Sequence, residues 1–181
     1  MKNRKPLVTI LLIGLPVLVV ASAGAASTFA KLRDDLTQQR SAISLQWTEV
    51  NSALEERAAL IEDLAKRTVR DPALLREAQE ARGALLAATM PQARIQANAR
   101  LDTVHAKILL LLDTTRAHPT RRIEHTEELI KDADARIAVS RRKYNETLEH
   151  YNARIQKFPQ NLVARISGFT RNDAYFYTEP F

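Results

Sequence analysis

The sequence contains no cysteine and only four glycines among its 181 residues. Without cysteine the chain cannot form disulfides, use a thiolate nucleophile, bind zinc through thiolates or carry a lipoprotein anchor. So few glycines are unusual for a protein with many turns or strands. Charged residues at 27% and apolar residues at 45% are typical of long amphipathic helices. We therefore expect an all-α protein with one domain and an appendage.

Patterns that mark an active site are also missing. No serine stands in a glycine elbow, and there is no glycine-rich phosphate loop. Adjacent acids such as Glu55 and Glu56 diverge around a helix, so they do not form an acid–base pair. The histidines have no HExxH or similar zinc-binding spacing: His105, His118, His125 and His150. We expect a protein that is not an enzyme and has no cofactor, metal or small-molecule substrate.

The net charge of +6 and the isoelectric point near 9.8 raise the question of an acidic partner. The basic residues are scattered among acids along the chain, and few aromatic residues interleave them. A nucleic-acid interface needs a contiguous basic stripe or patch. We therefore expect no nucleic-acid partner.

A basic tail at residues 1–5 precedes an uncharged apolar run at residues 6–30. As a helix this run would extend about 37 Å, enough for a hydrocarbon core of about 30 Å. Two interpretations fit: a single-pass transmembrane anchor, or a signal peptide cleaved near Ala23. The anchor is favoured because residues 24–30 stay apolar and lead directly into a helical pattern. The basic tail then places the remaining chain on the periplasmic side of a bacterial inner (cytoplasmic) membrane.

Residues 31–160 predict a long antiparallel, up-and-down four-helix bundle, whose first helix continues from the membrane segment without interruption. Proline-containing turns divide the remaining helices at 72–88, 92–117 and 123–158. The residues expected on the inner faces of the first three helices are Ile43, Trp47, Val50, Leu54, Ala58, Ile61 and Ala65; Leu75, Ala78 and Leu85; and Ile95, Leu101, Val104 and Ile108 with the dense run Leu109 to Leu112.

The fourth helix carries an apolar residue at strict seven-residue intervals: Ile123, Ile130, Ile137, Tyr144, Tyr151 and Phe158. This spacing keeps one stripe facing a partner helix. Pro159 lacks an amide hydrogen and disfavours a helical Phe158, so the helix is expected to end there. Asn145 and Asn152 follow the two tyrosines. The tyrosine–asparagine pairs are either core rings with asparagines bonding across the interface, or a recognition site.

Residues 161–181 form an aromatic tail that begins with another helical turn. Asn161 is expected to cap this turn, and Gly168 to end it in a left-handed conformation. Leu162, Ile166 and Phe169 are expected to form its apolar face. The final AYFYTEPF segment has three open destinations: the bundle, the membrane interface or a partner protein.

The segment RIAVSRRKYNETLEHYNARIQKFPQNLVARISGF resembles the C-terminal signature of the LemA family. The resemblance covers about residues 36–177 and is most specific at this end. It implies a small membrane-anchored protein with a long antiparallel helical bundle and no known catalytic activity, and some relatives are linked to membrane remodelling. It marks these signature residues as interaction candidates: Tyr144, Asn145, Tyr151, Asn152, Phe158, Pro159, Asn161, Gly168 and Phe169.

The chain departs from that family pattern at two places. Glu62 or Asp63 replaces the proline usual in the first bundle helix, and the acidic-aromatic stretch before the last helix is shortened to RAHPTRRIEH. The expected function is a membrane-anchored, non-enzymatic helical scaffold that acts as a homo-oligomer or with a membrane-protein partner. The alternatives are an accessory subunit of an integral membrane protease or transporter, and a secreted binding module.

Overall fold

The computed structural model describes residues 5–68, 72–114 and 120–176, with side chains described from residue 24 onward. These residues form helices and connecting turns without any strand, which confirms the expected all-α class. The helices are α1 (Lys5–Thr68), α2 (Pro72–Ala87), α3 (Pro91–Thr114), α4 (Arg121–Arg154) and α5 (Gln160–Ser167).

The turn signals locate most helix boundaries correctly. The second helix begins at Pro72, where the missing amide hydrogen costs nothing, and the third begins at Pro91. Asp71 and the predicted stop at His118–Pro119 lie outside the described residues.

The predicted end of the fourth helix at Phe158 is wrong, because α4 ends at Arg154. The amide of Lys157 donates to the carbonyl of Arg154 at 3.1 Å, a bond that closes a tighter turn than an α-helix. The chain has therefore already left the helix before it reaches Pro159, and Phe158 no longer follows the seven-residue stripe.

The chain packs as two compact units. The first comprises the described residues of Met1–Ser41 together with Tyr151–Arg171, and the second those of Ala42–His150 together with Asn172–Phe181.

Side-chain contacts give the helix directions in the second unit. Glu56 of α1 pairs with Arg136 of α4 at 2.8 Å, and Trp47 of α1 meets Tyr144 of α4. Residue numbers rise along α1 while they fall along α4, so this pair is antiparallel. Arg94 of α3 pairs with Glu55 of α1, and Asp102, further along α3, pairs with Arg57, further along α1. These two helices therefore run in the same direction. For α1, α3 and α4 these directions agree with the expected up-and-down order.

The second unit buries most of the side chains that periodicity assigned to its core. Trp47 and Ile95 are only half-buried, and Leu74 rather than Leu75 faces inward on α2. The leucine run at the end of α3 is not a core segment, because Leu109, Leu110 and Leu111 are exposed. The observed set at positions 74, 78, 81 and 85 completes one helical stripe, from which Leu75 lies one position away. The buried residues include Ile43, Val50, Leu54, Ala58, Ile61, Ala65, Ala78, Leu85, Leu101, Val104, Ile108, Ile123, Ile130, Ile137, Tyr144 and Leu148.

The first unit differs more from expectation. Its buried apolar residues include Leu36, Tyr151, Ile155, Val163 and Ala164. The prediction of Phe158 as a core residue is wrong, because it is exposed. The predicted apolar face of the last helix is also exposed at Leu162 and Ile166. The turn after Arg154 shifts the helical phase, so that the smaller Val163 and Ala164 face inward instead.

In the part of the chain that the structure describes, we find no helix with the length and apolar character needed to cross a membrane. Residues 6–23 of the expected anchor belong to α1, but their side chains lie outside that part. The anchor stays a prediction.

Candidate functional site: tyrosine fasteners and a tail strap

Residues 172–176, the tail strap, run along α4 in the second unit and are held by the first tyrosine–asparagine pair. The Tyr144 hydroxyl donates to the carbonyl oxygen of Ala174 at 3.0 Å. The Asn145 side chain makes two bonds to the backbone of Phe176: Nδ2 donates to the carbonyl oxygen at 2.7 Å, and Oδ1 accepts from the amide at 2.9 Å. An asparagine amide that pairs with both backbone groups of one residue fixes its position and register.

The strap ends in an aromatic cluster. Phe176 is only 1% exposed, and its ring lies 5.6 Å from Trp47 in a stacked arrangement and 5.3 Å from Tyr144 edge-on. The guanidinium of Arg141 lies 5.5 Å from the centre of the Phe176 ring, within cation–π range. Burial, with a smaller effect of Tyr175, raises the pKa of the Tyr144 hydroxyl, which keeps it a neutral donor. The cluster therefore joins α1, α4 and the strap.

The second tyrosine makes an equivalent bond in the first unit. The Tyr151 hydroxyl donates to the carbonyl oxygen of Thr170 at 3.0 Å, and burial raises its pKa despite the opposing effect of Arg40. Asn152 beside it is buried. Gly168 ends α5 with φ of 73°, and the amide of Phe169 donates to the carbonyl oxygen of Ala164, so the predicted left-handed stop is confirmed. Each tyrosine thus fastens the backbone of the tail.

The remaining signature residues have other roles. The Phe158–Pro159 peptide bond is cis, and Pro159 occupies the N-cap position of α5 without a side-chain bond. The prediction that Asn161 caps this helix is wrong: it lies inside α5, and its Oδ1 is buried with no hydrogen-bond partner. Of the three destinations of the tail, residues 172–176 take the bundle, whereas residues 177–181 lie outside the described residues.

A buried cation in the second unit was missed by the sequence analysis. Arg57 is 5% exposed and bonds to Asp134, to Asp102 at 2.7 Å and to Asn98 at 3.3 Å. Burial and the Arg57 charge lower the pKa of the nearby His105. The signal available was position, since Arg57 directly precedes Ala58 on the apolar face of α1. This cluster links three helices, because α1, α3 and α4 each contribute a member.

No group of three or more histidine or acidic side chains within the described ranges is arranged to hold a metal ion.

A groove of about 590 Å³ lies between α1 and α4 in the second unit. Its floor consists mainly of small side chains: Ser52, Ala53, Ala135 and Ser140. Its α1 rim carries Glu49 and Glu56, and its α4 rim carries Arg136 and Lys143. The two rims thus have opposite charge.

These features define a class of protein: a helical bundle in which Tyr144 and Asn145 hold the C-terminal strap and Tyr151 holds the backbone just before it. The sequence profile of the LemA family matches residues 46–180, which is most of the chain. The protein belongs to the LemA family, which is not a known enzyme family. No curated protein matches the chain.

Proposed function

We propose that this LemA family protein is a membrane-anchored, non-enzymatic scaffold that acts by self-assembly and so organises the membrane that holds it. Residues 6–30 form its single-pass anchor in the inner membrane, and the bundle lies on the periplasmic side. The observation that carries the proposal is the groove between α1 and α4 with its oppositely charged rims.

The occupant of this groove is a second copy of the chain. A two-fold axis parallel to the helices turns the α1 rim of one copy onto the α4 rim of its partner. Glu56 and Arg136 already stand at one level, since they pair within one copy at 2.8 Å. Glu49 lies two helical turns before Glu56, and Lys143 two turns after Arg136, so this second pair is also level because α1 and α4 are antiparallel. Each acidic rim then meets a basic rim.

This symmetry also suits a membrane protein, because both copies point in the same direction and both anchors enter the same bilayer. The small side chains of the floor allow the helices to approach closely, and Val139, which is 44% exposed in one copy, would become covered. Rim charges contribute mainly specificity and register to such an interface.

Self-assembly is tested by native mass spectrometry of the full chain in nanodiscs. Glu49→Lys and Lys143→Glu should each lower the dimer fraction, and the double variant should restore it, because the reversed charges again face each other. Glu128→Lys makes the same charge change on an exposed position of α4 outside the groove and should leave the dimer unchanged. A monomeric wild type, or single variants that assemble normally, would refute the proposal. A stoichiometric complex with one integral membrane enzyme would instead support the accessory-subunit alternative.

The anchor and its orientation are tested by labelling, which the absence of cysteine makes simple. Glu128→Cys should react with a membrane-impermeant maleimide in intact spheroplasts, whereas Asn3→Cys should react only after lysis. The reverse pattern would place the bundle in the cytoplasm. N-terminal sequencing of the mature protein separates the anchor from a secreted module, since cleavage near Ala23 removes most of the apolar run.

A further inference from the structure

Three large apolar side chains in the first unit face solvent. Phe158 is 77% exposed, Leu162 49% and Ile166 74%. Leu162 and Ile166 lie one turn apart on α5, and Phe158 precedes Leu162 by the same number of residues. We call these three residues the α5 face. The opposite side of α5 buries only Val163 and Ala164, so this short helix exposes its larger apolar residues and covers its smaller ones.

The charge of the chain is concentrated in the same unit. Three basic residues of this unit belong to the tail at residues 1–5, on the other side of the expected anchor. Residues 31–41 and 151–171 contain seven basic and two acidic residues, a net charge of +5. The second unit contains 17 basic and 19 acidic residues, a net charge of −2. The segment around α5 has no acidic residue at all, and its basic residues are Arg154, Lys157, Arg165 and Arg171. Exposed apolar residues with basic flanks are typical of helices that lie on anionic membrane surfaces.

The α5 face also follows a part of the chain that lies close to the expected anchor. Arg154 Nη1 pairs with Asp35 Oδ1 at 2.9 Å, which fixes the end of α4 beside Asp35. Asp35 is five residues beyond residue 30, where the expected anchor ends. That is about 7.5 Å along a helix, comparable to the roughly 5–7 Å of headgroup region on each side of a bilayer. With the expected anchor in the bilayer, the chain would return close to headgroup level just before α5 begins.

We propose that the α5 face lies in the headgroup region of an anionic bilayer and gives the protein a second membrane contact beside its anchor. This inference rests on the proposed anchor. Phe158, Leu162 and Ile166 insert at the boundary with the acyl chains, while Lys157 and Arg165 approach the lipid phosphates. A helix held in this way fixes the tilt of the protein on the membrane, which a single span does not.

The experiment measures the depth of spin labels on the full chain in nanodiscs that contain phosphatidylcholine and phosphatidylglycerol. Labels are attached one at a time to Leu162→Cys, Ile166→Cys, Leu18→Cys in the expected anchor, and Glu128→Cys as the aqueous control. Positions 162, 166 and 128 are exposed, so none of these labels replaces a buried side chain. Collisions with oxygen report the bilayer, and collisions with a water-soluble nickel chelate report the aqueous phase.

We expect the labels at 162 and 166 to shift toward oxygen relative to Glu128→Cys, though less than the label at 18. The shift should shrink in nanodiscs of phosphatidylcholine alone. An aqueous signal at 162 and 166 with a buried label at 18 would overturn the α5 contact and leave the anchor intact. Aqueous signals at all three positions would overturn the anchor as well. Shielding of 162 and 166 from both reagents would indicate a protein occupant and also overturn the proposal.

Discussion

The tail strap offers the sharpest test of the candidate site, because one side chain holds its end. Replacing Asn145 with Ala removes both bonds to the Phe176 backbone. At about 0.5–1.5 kcal/mol per neutral hydrogen bond, the loss is about 1–3 kcal/mol, which favours the detached strap by about 5- to 150-fold. Phe176→Ala should act more strongly, since truncating a buried phenylalanine typically costs about 3–5 kcal/mol.

Trp47 reports detachment directly. It is the only tryptophan of the chain, and the Phe176 ring stacks on it at 5.6 Å. When the strap detaches, the indole of Trp47 becomes more exposed to water. Its fluorescence emission should then shift to longer wavelength, and its quenching by acrylamide should increase. Asn98→Ala is the matched control, because it removes the same side chain from α3 without touching the strap.

The two strap variants should also be non-additive, because both detach the same segment. A chain with Asn145→Ala and Phe176→Ala together should then show little more red shift than Phe176→Ala alone. If neither variant changes the emission at temperatures well below global unfolding, the strap does not cover Trp47 and the role assigned to Asn145 is wrong.

Three further predictions concern stability. In urea unfolding, Gly168→Ala should lower the free energy of unfolding by about 1–2 kcal/mol, because the φ of 73° at this position is left-handed. Gly83→Ala inside α2 should raise the free energy of unfolding by about 1 kcal/mol, because alanine is the better helix former. Equal effects of the two substitutions would refute the backbone argument. The depressed pKa of His105 means that the unfolded chain binds more protons, so stability should fall as pH drops below about 6.5, and His105→Leu should flatten that slope. Arg57→Met should lower stability by about 2–3 kcal/mol, less than a fully buried pair because the Asp134 carboxylate is half exposed; an unchanged melting temperature would contradict this.

Local signals in the sequence predicted the helices and their inner faces well. The seven-residue spacing correctly predicted that Ile130, Ile137 and Tyr144 are buried, and Pro72 correctly predicted the start of α2. The hydrogen-bond partner of Asn145 could not be predicted from the sequence, because Phe176 follows it by 31 residues and the intervening chain turns more than once. Periodicity places a side chain on a face, but it does not identify which distant segment covers that face.

The errors near Phe158 have a different origin. Extending the seven-residue repeat assumed that α4 continues to Pro159, and the tight turn after Arg154 breaks that phase. Phe158 therefore leaves the stripe and is exposed instead of facing a partner helix. A shift of one residue in a helix moves a side chain by about 100° around the axis, because each turn holds 3.6 residues. The spacing of Leu162 and Ile166 did predict an apolar face on the last helix, but it did not show that this face is exposed.

The division of charge links the two proposals and gives a last prediction. The net charge of +6 divides into +3 in the tail at residues 1–5, +5 in the rest of the first unit and −2 in the second unit. Two copies that meet through the nearly neutral second unit therefore also bring two basic first units into one assembly. Their repulsion opposes dimerisation unless anionic headgroups neutralise it. The dimer fraction should therefore be higher in nanodiscs with phosphatidylglycerol than in phosphatidylcholine alone. Raising the salt concentration should reduce the difference in dimer fraction between the two lipid compositions. At about 1 M salt the Debye length is about 3 Å, so salt ions screen the repulsion between the basic units even without anionic lipid. Equal dimer fractions in both lipids at low salt would mean that the basic residues of the first unit do not interact with the membrane surface.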